Sequence, residues 1–592
     1  MREVRFLRGL IRTLGRVRGI APDSPWLACD DLEAAVDKFR GRTAITFEGK
    51  SVTYGDLDAM ANRYGNWAKG RGIKRGETVA LFMPNRMEYI AVWYGLAKVG
   101  VATALINCNL SGQALAHCLN ISGAVHLIVD SETAPLFEAV RTSLARSMME
   151  WVVGGGPKRG DRDLDRTLKG VSALRPTRET ARAGITAREV MLYIYTSGTT
   201  GMPKAARIPH TRAQLYMRGF AAGTDAGPND RLYCCLPLYH ATGGLCAVGA
   251  ALLTGATLVL KRKFSASSFW DDIVAEEATL FVYIGELCRY LVNQPEVPAE
   301  RMHSLRLIFG NGLSLDVWNK MLSRFRIPNI LEFYGATEGN VSLLNFDGKP
   351  GAVGRVPSYL RKSFNVKLIR FDVETELVER GANGLCIECR PGEIGLTIGE
   401  IKSLDARYAY AGYADKTASD RKVLRDVLAR GDAWFATGDL MRQDREGYFY
   451  FVDRVGDTFR WKGENVSTGE VAAHLAEVHG VLEANVYGVA VPGTEGRAGM
   501  AALVTDHDRF DLAAFRSHVD ATLPPYARPL FLRLQPQIVT TGTFKYRKID
   551  LAADGFDPGA VADPLYFKDP EGAYVPLDAA LFARIKAGEV RV

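Results

Sequence analysis

Four short segments carry most of the residues able to do chemistry on a charged small molecule. The first is Tyr195-Thr196-Ser197-Gly198-Thr199-Thr200-Gly201-Met202-Pro203-Lys204, whose tyrosine ends the apolar run that begins at Leu192. Glycines let such a loop turn several backbone N–H groups toward one anion, hydroxyls add donors, and Lys204 adds a charge. The pattern is a phosphate cradle without the G-x-x-x-x-G-K-[ST] spacing of a Walker loop. The second is Tyr334-Gly335-Ala336-Thr337-Glu338, placed behind Ile330-Leu331. Its ring can stack on a base, its hydroxyl can bond a phosphate, and its carboxylate can hold Mg²⁺, a hard cation that prefers oxygen. The third is Thr437-Gly438-Asp439, followed by Arg454. A carboxylate suits ribose hydroxyls, although a single tripeptide of this kind is more often an exposed turn. The fourth is Thr541-Gly542-Thr543-Phe544-Lys545. A lysine there can neutralise transition-state charge; alone, it would read as a solvated lysine.

These segments need a scaffold, and the chain supplies one. Thr43–Phe47 and Lys50–Thr53 read as a hairpin with Glu48-Gly49 as its turn, and a helix follows from Tyr54. Short apolar strands recur at 79–83, 126–129, 192–195, 281–284 and 305–309, with helical stretches between them. That alternation predicts a mostly parallel, helix-covered sheet. Around 360–400 the texture becomes β-rich, with strands expected at 365–370 and 385–388, and near Arg454 it changes again. The expected fold class is α/β: a large amino-terminal domain of helix-covered sheets plus a β-rich lobe, and a small mobile α+β carboxy-terminal domain. The boundaries are an Arg-rich segment 1–30, a large domain 31–453 and a lid domain 454–592.

Composition narrows the function classes. The 592 residues are 47% hydrophobic and 24% charged, an ordinary globular balance with no disorder signature. The net charge of +7 suits anionic substrates or an anionic membrane surface. No basic stripe with interleaved aromatics is present, so nucleic acid is not an expected partner. Nine scattered cysteines, with a single C-x-x-C at Cys386 and Cys389, lack the second pair that a structural zinc requires. In the first 18 residues, Val4, Leu7, Ile11 and Leu14 recur at helical spacing among six arginines. The arginines rule out a secretory signal, and the pattern fits a helix lying on an anionic membrane or one packed on its own protein. The run 87–107 reaches membrane-span length, but Glu88, Lys98 and Gly100 favour a buried helix followed by a strand.

Taken together, in this order, the four segments resemble the adenylate-forming superfamily of acyl-CoA synthetases, adenylation domains and firefly luciferase. The likeness runs from about Thr53 to the end and includes Val52-Thr53-Tyr54-Gly55-Asp56-Leu57, Leu236-Pro237-Leu238-Tyr239-His240 and Gly392-Glu393-Ile394-Gly395-Leu396. Longer signatures at 451–468, 309–314, 523–529, 563–566 and 574–577 resemble the fatty acid transport protein/very-long-chain acyl-CoA synthetase branch.

The resemblance implies ATP, Mg²⁺ and coenzyme A, and a fatty acid substrate activated through an acyl-adenylate. It implies that Thr196, Ser197, Gly198, Thr199, Thr200, Gly201 and Lys204 hold phosphates. Gly310, Asn311 and Gly312 would line the adenine pocket and Tyr334 would stack on the base. Thr337 would contact the α-phosphate, Glu338 would hold Mg²⁺, and Asp439 and Arg454 would contact ribose. His240 would line the acyl pocket, beside stretches such as 283–287. Lys545 matches the adenylation lysine, Gly456 matches the hinge, and Gly463, Glu464 and Asn465 fall on the coenzyme A side. Two departures, Met202 for Leu and Ala241-Thr242 after His240, remove no needed group. Other acids (bile-acid-like, aryl or carnitine), an uptake role by vectorial acylation, and a binding-only protein remain the alternatives. The expected location is cytoplasmic, with peripheral contact at the inner face of the membrane through residues 1–20.

Overall fold

The computed structural model describes residues 2–155, 162–196, 202–373, 375–462, 464–492, 494, 496–538, 548–590 and 592. Two sheets built mainly from parallel strands dominate the first half. One has eight strands, with Ile330–Gly335, Leu307–Asn311 and Leu280–Ile284 adjacent and parallel. The other has six strands and ends in the antiparallel pair Val190–Thr196 and Lys204–Pro209, in which Thr196 stands opposite Lys204. A third, antiparallel sheet includes Ile394–Glu400, Ala433–Gln443 and Tyr448–Arg454. A five-stranded sheet that begins with Val481–Val489 has its own apolar cluster, from Phe459 to Ile585. The α/β architecture with a large and a small unit is the expected one.

Local chemistry explains the elements. The hairpin forms with Glu48 and Gly49 both at positive φ, as a tight two-residue turn requires. Thr53 then caps the helix Tyr54–Gly70 in a reciprocal capping box with Asp56. The run 87–107 divides into the buried helix Met87–Ala97 and the strand Ala102–Leu105. Lys98 is fully buried and paired, 2.5 Å from Asp58 and 3.2 Å from Glu33. Among the described residues no helix is long and apolar enough to cross a membrane. Two expectations shift. The strand expected at 305–309 forms as Leu307–Asn311. Residues 385–388 make only isolated bridges, Ile369 to Glu388 and Arg380 to Cys386, instead of a strand. All nine cysteines are free thiols.

Candidate active site

The carboxy ends of neighbouring parallel strands are where open α/β sheets bind ligands, and the second segment sits at such an end. Gly310 pairs with Glu332 on one side and with Tyr283 on the other. A Cβ on Gly310 would stand 2.2 Å from the Tyr283 carbonyl oxygen, so only glycine fits there. Gly312 takes a φ of +85°, and its carbonyl lies where a Cβ on Gly285 would come within 1.7 Å. The turn after Asn311 is therefore closed against its neighbour by backbone alone. Beneath it lies Glu332, 2% exposed. Its carboxyl accepts from the Leu313 N–H at 3.0 Å and from the Tyr283 hydroxyl. Burial pushes this carboxyl up to about 8.

The strand Ile330–Gly335 delivers Tyr334, whose hydroxyl donates to Asp439. Asp439 and Arg454 are cross-strand partners in the third sheet, 3.6 Å apart. Gly438, at a φ of +82°, makes the bend that precedes Asp439. Thr437 Oγ1 accepts from the Asp439 N–H at 3.0 Å and donates to the Thr397 carbonyl at 2.8 Å. Tyr334, Asp439 and Arg454 thus form one polar line from two sheets. The following turn is held from below by the helix His210–Gly223. Arg212 and the Tyr216 hydroxyl both donate to the Ala336 carbonyl, at 2.8 and 3.0 Å. Thr337 and Glu338 come out of this turn half-buried.

Glu338 accepts a 2.7 Å hydrogen bond from the Tyr413 hydroxyl. Tyr413 lies in a loop that pairs with the strand carrying Lys204: Ala414 N–H donates to the Ala205 carbonyl at 2.8 Å and Arg207 N–H to the Gly412 carbonyl at 2.9 Å. Lys204 Nζ stands 5.7 Å from the centre of the Tyr413 ring. Lys422 donates to the Thr437 carbonyl at 3.3 Å. Burial holds its ammonium below the usual lysine range, and the attraction of Glu338 and Asp439 works against that, while Lys204 and Arg454 add repulsion. A patch of cations, one carboxylate and hydroxyls therefore converges between the first and second segments. Such oxygen donors fit a magnesium ion held by one carboxylate together with phosphate oxygens. Lys422, Tyr413, Arg212 and Glu332 were not singled out in the sequence. Only Glu332 carried a local signal, an acid inside the apolar strand run 330–333.

His240 is half-buried beside Tyr239, with ring centres 4.5 Å apart. Its carbonyl accepts from the Gly244 N–H at 2.7 Å, and a π-helix, Thr242–Ala247, follows. Widened turns of this kind often mark functional sites. The helix His210–Gly223 packs on it, which joins this corner to the Ala336 turn. The stretch 283–287 is mostly core: Tyr283 and Leu287 are fully buried, and Tyr283 uses its hydroxyl on Glu332.

Gly456 lies in a turn with a φ of +91° and nothing within 4 Å of a Cβ placed there. Glu464 and Asn465 are exposed on the small hairpin Phe459–Trp461 and Glu464–Val466. Ser197, Gly198, Thr199, Thr200, Gly201, Gly463 and Lys545 lie outside the described residues. On either side of Gly456, Asp453 accepts from the Thr468 N–H and hydroxyl at 2.6 and 2.8 Å, and Lys548 reaches Asp457 at 3.4 Å.

Residues 32–393 match the family model described as AMP-binding enzyme, and residues 470–545 match the AMP-binding enzyme C-terminal domain. The chain is 44% identical to Long-chain fatty acid transport protein 1 of Homo sapiens, over 91% of this chain and 84% of that protein. It is 41% identical to Long-chain fatty acid transport protein 6 of Mus musculus, over 95% and 92% of the two chains. The crystal structure of an anthranilate CoA ligase in complex with anthranoyl-AMP superposes with a TM-score of 0.77 at 23% identity, covering 91% of this chain and 99% of that one. The chain belongs to the adenylate-forming AMP-binding enzymes and, within them, to the fatty acid transport protein family.

Proposed function

We propose that this adenylate-forming CoA ligase takes a long-chain fatty acid, with very-long-chain acids as an extension of the same pocket. The fatty acid carboxylate attacks the α-phosphorus of ATP, an acyl-adenylate forms, and pyrophosphate leaves. The thiol of coenzyme A then displaces AMP and acyl-CoA is released. The observation that carries the reading is the convergence of Lys204, Lys422, Tyr413 and Glu338 beside the Tyr334–Asp439–Arg454 line. Two anions must meet in the first step, so fixed cations and donors at the phosphates should dominate its rate. The long-chain substrate is supported by relatives named for long-chain fatty acid transport, at 41–44% identity over most of both chains.

In this reading Tyr334 stacks on adenine beside Gly310, Asn311 and Gly312, and Asp439 and Arg454 hold the ribose. Thr337, Lys204 and residues 196–201 hold phosphates. Glu338 holds Mg²⁺, which offsets charge on the phosphate oxygens. His240 lines the acyl side. Lys545 neutralises the α-phosphate in the first half-reaction. Residues 454–592 then rotate about Gly456, and Gly463, Glu464 and Asn465 face coenzyme A. A positive-φ glycine suits a hinge, since it tolerates dihedrals closed to other residues. The working location is the cytoplasm and the inner face of the membrane. Uptake of fatty acid follows from coupling, which traps the acid as its CoA ester.

The test is AMP release with ATP, Mg²⁺, coenzyme A and acids from acetate through long- and very-long-chain fatty acids. Turnover should require coenzyme A and peak at long chains. Turnover confined to aryl, bile-acid-like or carnitine-like acids would keep the mechanism and overturn the substrate. Lys545→Ala should impair adenylation far more than thioester formation from preformed acyl-AMP; equal loss in both would remove Lys545 from its role.

A further inference from the structure

The loop 412–422 ties together two strands that border the charged end of the site. On one side, Ala414 N–H donates to the Ala205 carbonyl and Arg207 N–H to the Gly412 carbonyl, next to Lys204. On the other side, Ala436 N–H donates to the Lys422 carbonyl at 2.8 Å, and Val423 stands opposite Phe435, just before Thr437-Gly438-Asp439. Ser419 joins the two ends of the loop. Its hydroxyl accepts from the Tyr413 N–H at 2.8 Å, and its carbonyl accepts from the Lys422 N–H at 3.1 Å. Gly412 takes a φ of +65°, and a Cβ there would stand 2.6 Å from the Ser419 hydroxyl oxygen. One backbone unit therefore presents both the Tyr413 hydroxyl, which bonds Glu338, and the Lys422 ammonium.

Lys422 is half-buried, and its three N–H donors are under-used. The ammonium lies against the Gly438 bend, where a Cβ would stand 3.1 Å from Nζ. It donates to the Thr437 carbonyl at 3.3 Å, and among the described residues no carboxylate pairs with it. Lys98 is the contrast: it is buried with Asp58 at 2.5 Å and Glu33 at 3.2 Å. The charged neighbours of Lys422 are Glu338 and Asp439, which attract it, and Lys204 and Arg454, which repel it. Three cations thus stand against two carboxylates, and the positive excess falls between Glu338 and Asp439. A partly desolvated ammonium is costly unless an anion completes its shell.

We infer that Lys422 is a second catalytic lysine, whose ammonium donates to the α-phosphate of the nucleotide in both half-reactions. The inference rests on the adenylate reading above. In that reading Asp439 and Arg454 hold ribose and Glu338 holds Mg²⁺ on the phosphates, so the phosphate next to ribose, between them, is the α-phosphate. In the first step a carboxylate oxygen bonds to the α-phosphorus, the bond to pyrophosphate breaks, and charge builds on the α-phosphate oxygens. In the second step the thiol loses its proton to solvent and its sulfur bonds to the acyl carbon. The C–O bond breaks, and AMP leaves with that electron pair on an α-phosphate oxygen. A cation fixed at this phosphate stabilises both transition states. Lys545 belongs to the part of the chain that rotates away, whereas Lys422 is anchored to the strand Ala433–Gln443 that carries Asp439. A fixed lysine and a mobile one thus divide the work.

Calorimetry with AMP and with adenosine, beside the two half-reactions measured apart, decides it. Lys422→Met should weaken AMP about tenfold or more and leave adenosine within about twofold, because only the phosphate contact is lost. ATP–pyrophosphate exchange and thioester formation from preformed hexadecanoyl-AMP should both fall about a hundredfold. Lys422→Arg should recover part of each. Melting temperatures check the fold, and Lys422→Gln takes the place of Lys422→Met if that variant does not fold, with the same split expected. Equal weakening of AMP and adenosine would make Lys422 a structural prop and overturn the inference. So would a loss confined to one half-reaction, or a Met variant that matches the native chain. A native chain that binds neither ATP nor AMP overturns the adenylate reading itself, and this inference with it.

Discussion

The helix Gly285–Val292 lies beside two very different carboxylates. At its start, the Gly285 turn closes over Glu332, which receives the Leu313 N–H and the Tyr283 hydroxyl. On its outer side, Glu286 and Arg289 face Glu483 of the strand Val481–Val489, from the second unit. Nearby, Asn293 donates to the Leu482 carbonyl at 3.3 Å. Burial raises both acids, Glu332 to about 8 and Glu483 to about 7. What differs is the company. Glu332 is held by a backbone N–H and a buried tyrosine hydroxyl, whereas Glu483 is opposed by a like charge across a seam between two units. The first arrangement suits a floor that must not move under a nucleotide. The second suits a contact that can be made and released.

The comparison is sharpest at glycine. A Cβ at Gly285 would fall 1.7 Å from a carbonyl oxygen, while one at Gly456 would meet nothing within 4 Å. Gly285→Ala should therefore cost about 3 kcal/mol or more, because backbone must shift. Adenylate formation should fall by about a hundredfold or more, together with the melting temperature. Gly456→Ala should cost only about 1–2 kcal/mol, from its positive φ, and leave acyl-adenylate formation within a few fold. Gly456→Pro should act more strongly, because a φ near −65° cannot reproduce +91°. It should disfavour the arrangement described here and change the two half-reactions unequally. Equal behaviour of the Gly285 and Gly456 alanine variants would erase the contrast between floor and junction.

Protonation tests the same contrast. The folded value of Glu332, about 8, exceeds its ordinary 4.5. Folding therefore takes up a proton between these values. The stability this supplies is complete below about 4.5 and is lost as pH rises toward 8. Glu332→Gln keeps an acceptor for the Leu313 N–H and has no proton to lose. Melting temperatures of the native chain should drop relative to Glu332→Gln across that window, with a slope of up to about 1.4 kcal/mol per pH unit. Parallel profiles would show that the buried acid ionises freely.

Much of this was legible where neighbours in sequence decide structure. The hairpin follows from Glu48-Gly49, and the helix expected from Tyr54 starts there, with the Thr53 cap added by the structure. The run 87–107 reads as helix and strand because Lys98 and Gly100 interrupt it, and the buried partners Asp58 and Glu33 explain how a lysine sits there. Tyr334, Asp439 and Arg454 were visible as motifs, and the structure brings them into one line. Lys422 and Tyr413 were not. Each is a single residue without a flanking pattern, carried to Glu338 and Thr437 by long-range strand and loop pairing. The strand expected at 385–388 failed for a related reason: a short apolar run between turns was present, but a continuous partner strand was not.

The smallest effect belongs to the seam. Glu483 is raised by burial first and by Glu286 second, with Arg289 opposing, and Tyr290 on the same helix is raised in turn by burial, Glu286 and Glu483. Apart from the seam, Glu483 would lose the repulsion of Glu286 and fall back toward the ordinary carboxylate range. Making the contact therefore takes up a proton, so the contact is strongest below about 4.5 and fades as pH rises through about 7. Partial solvent screening keeps the effect on the order of 1 kcal/mol, about a fivefold change in the closed population. A distance measured between labels on the two units should lengthen, or broaden, between pH 5.5 and 8 in the native chain. In Glu483→Gln it should stay at its low-pH value throughout, since an amide carries no charge to repel Glu286. If the Gln variant keeps the same pH response, the seam is not the element that titrates, and the distinction between a fixed floor and a releasable contact loses its second half.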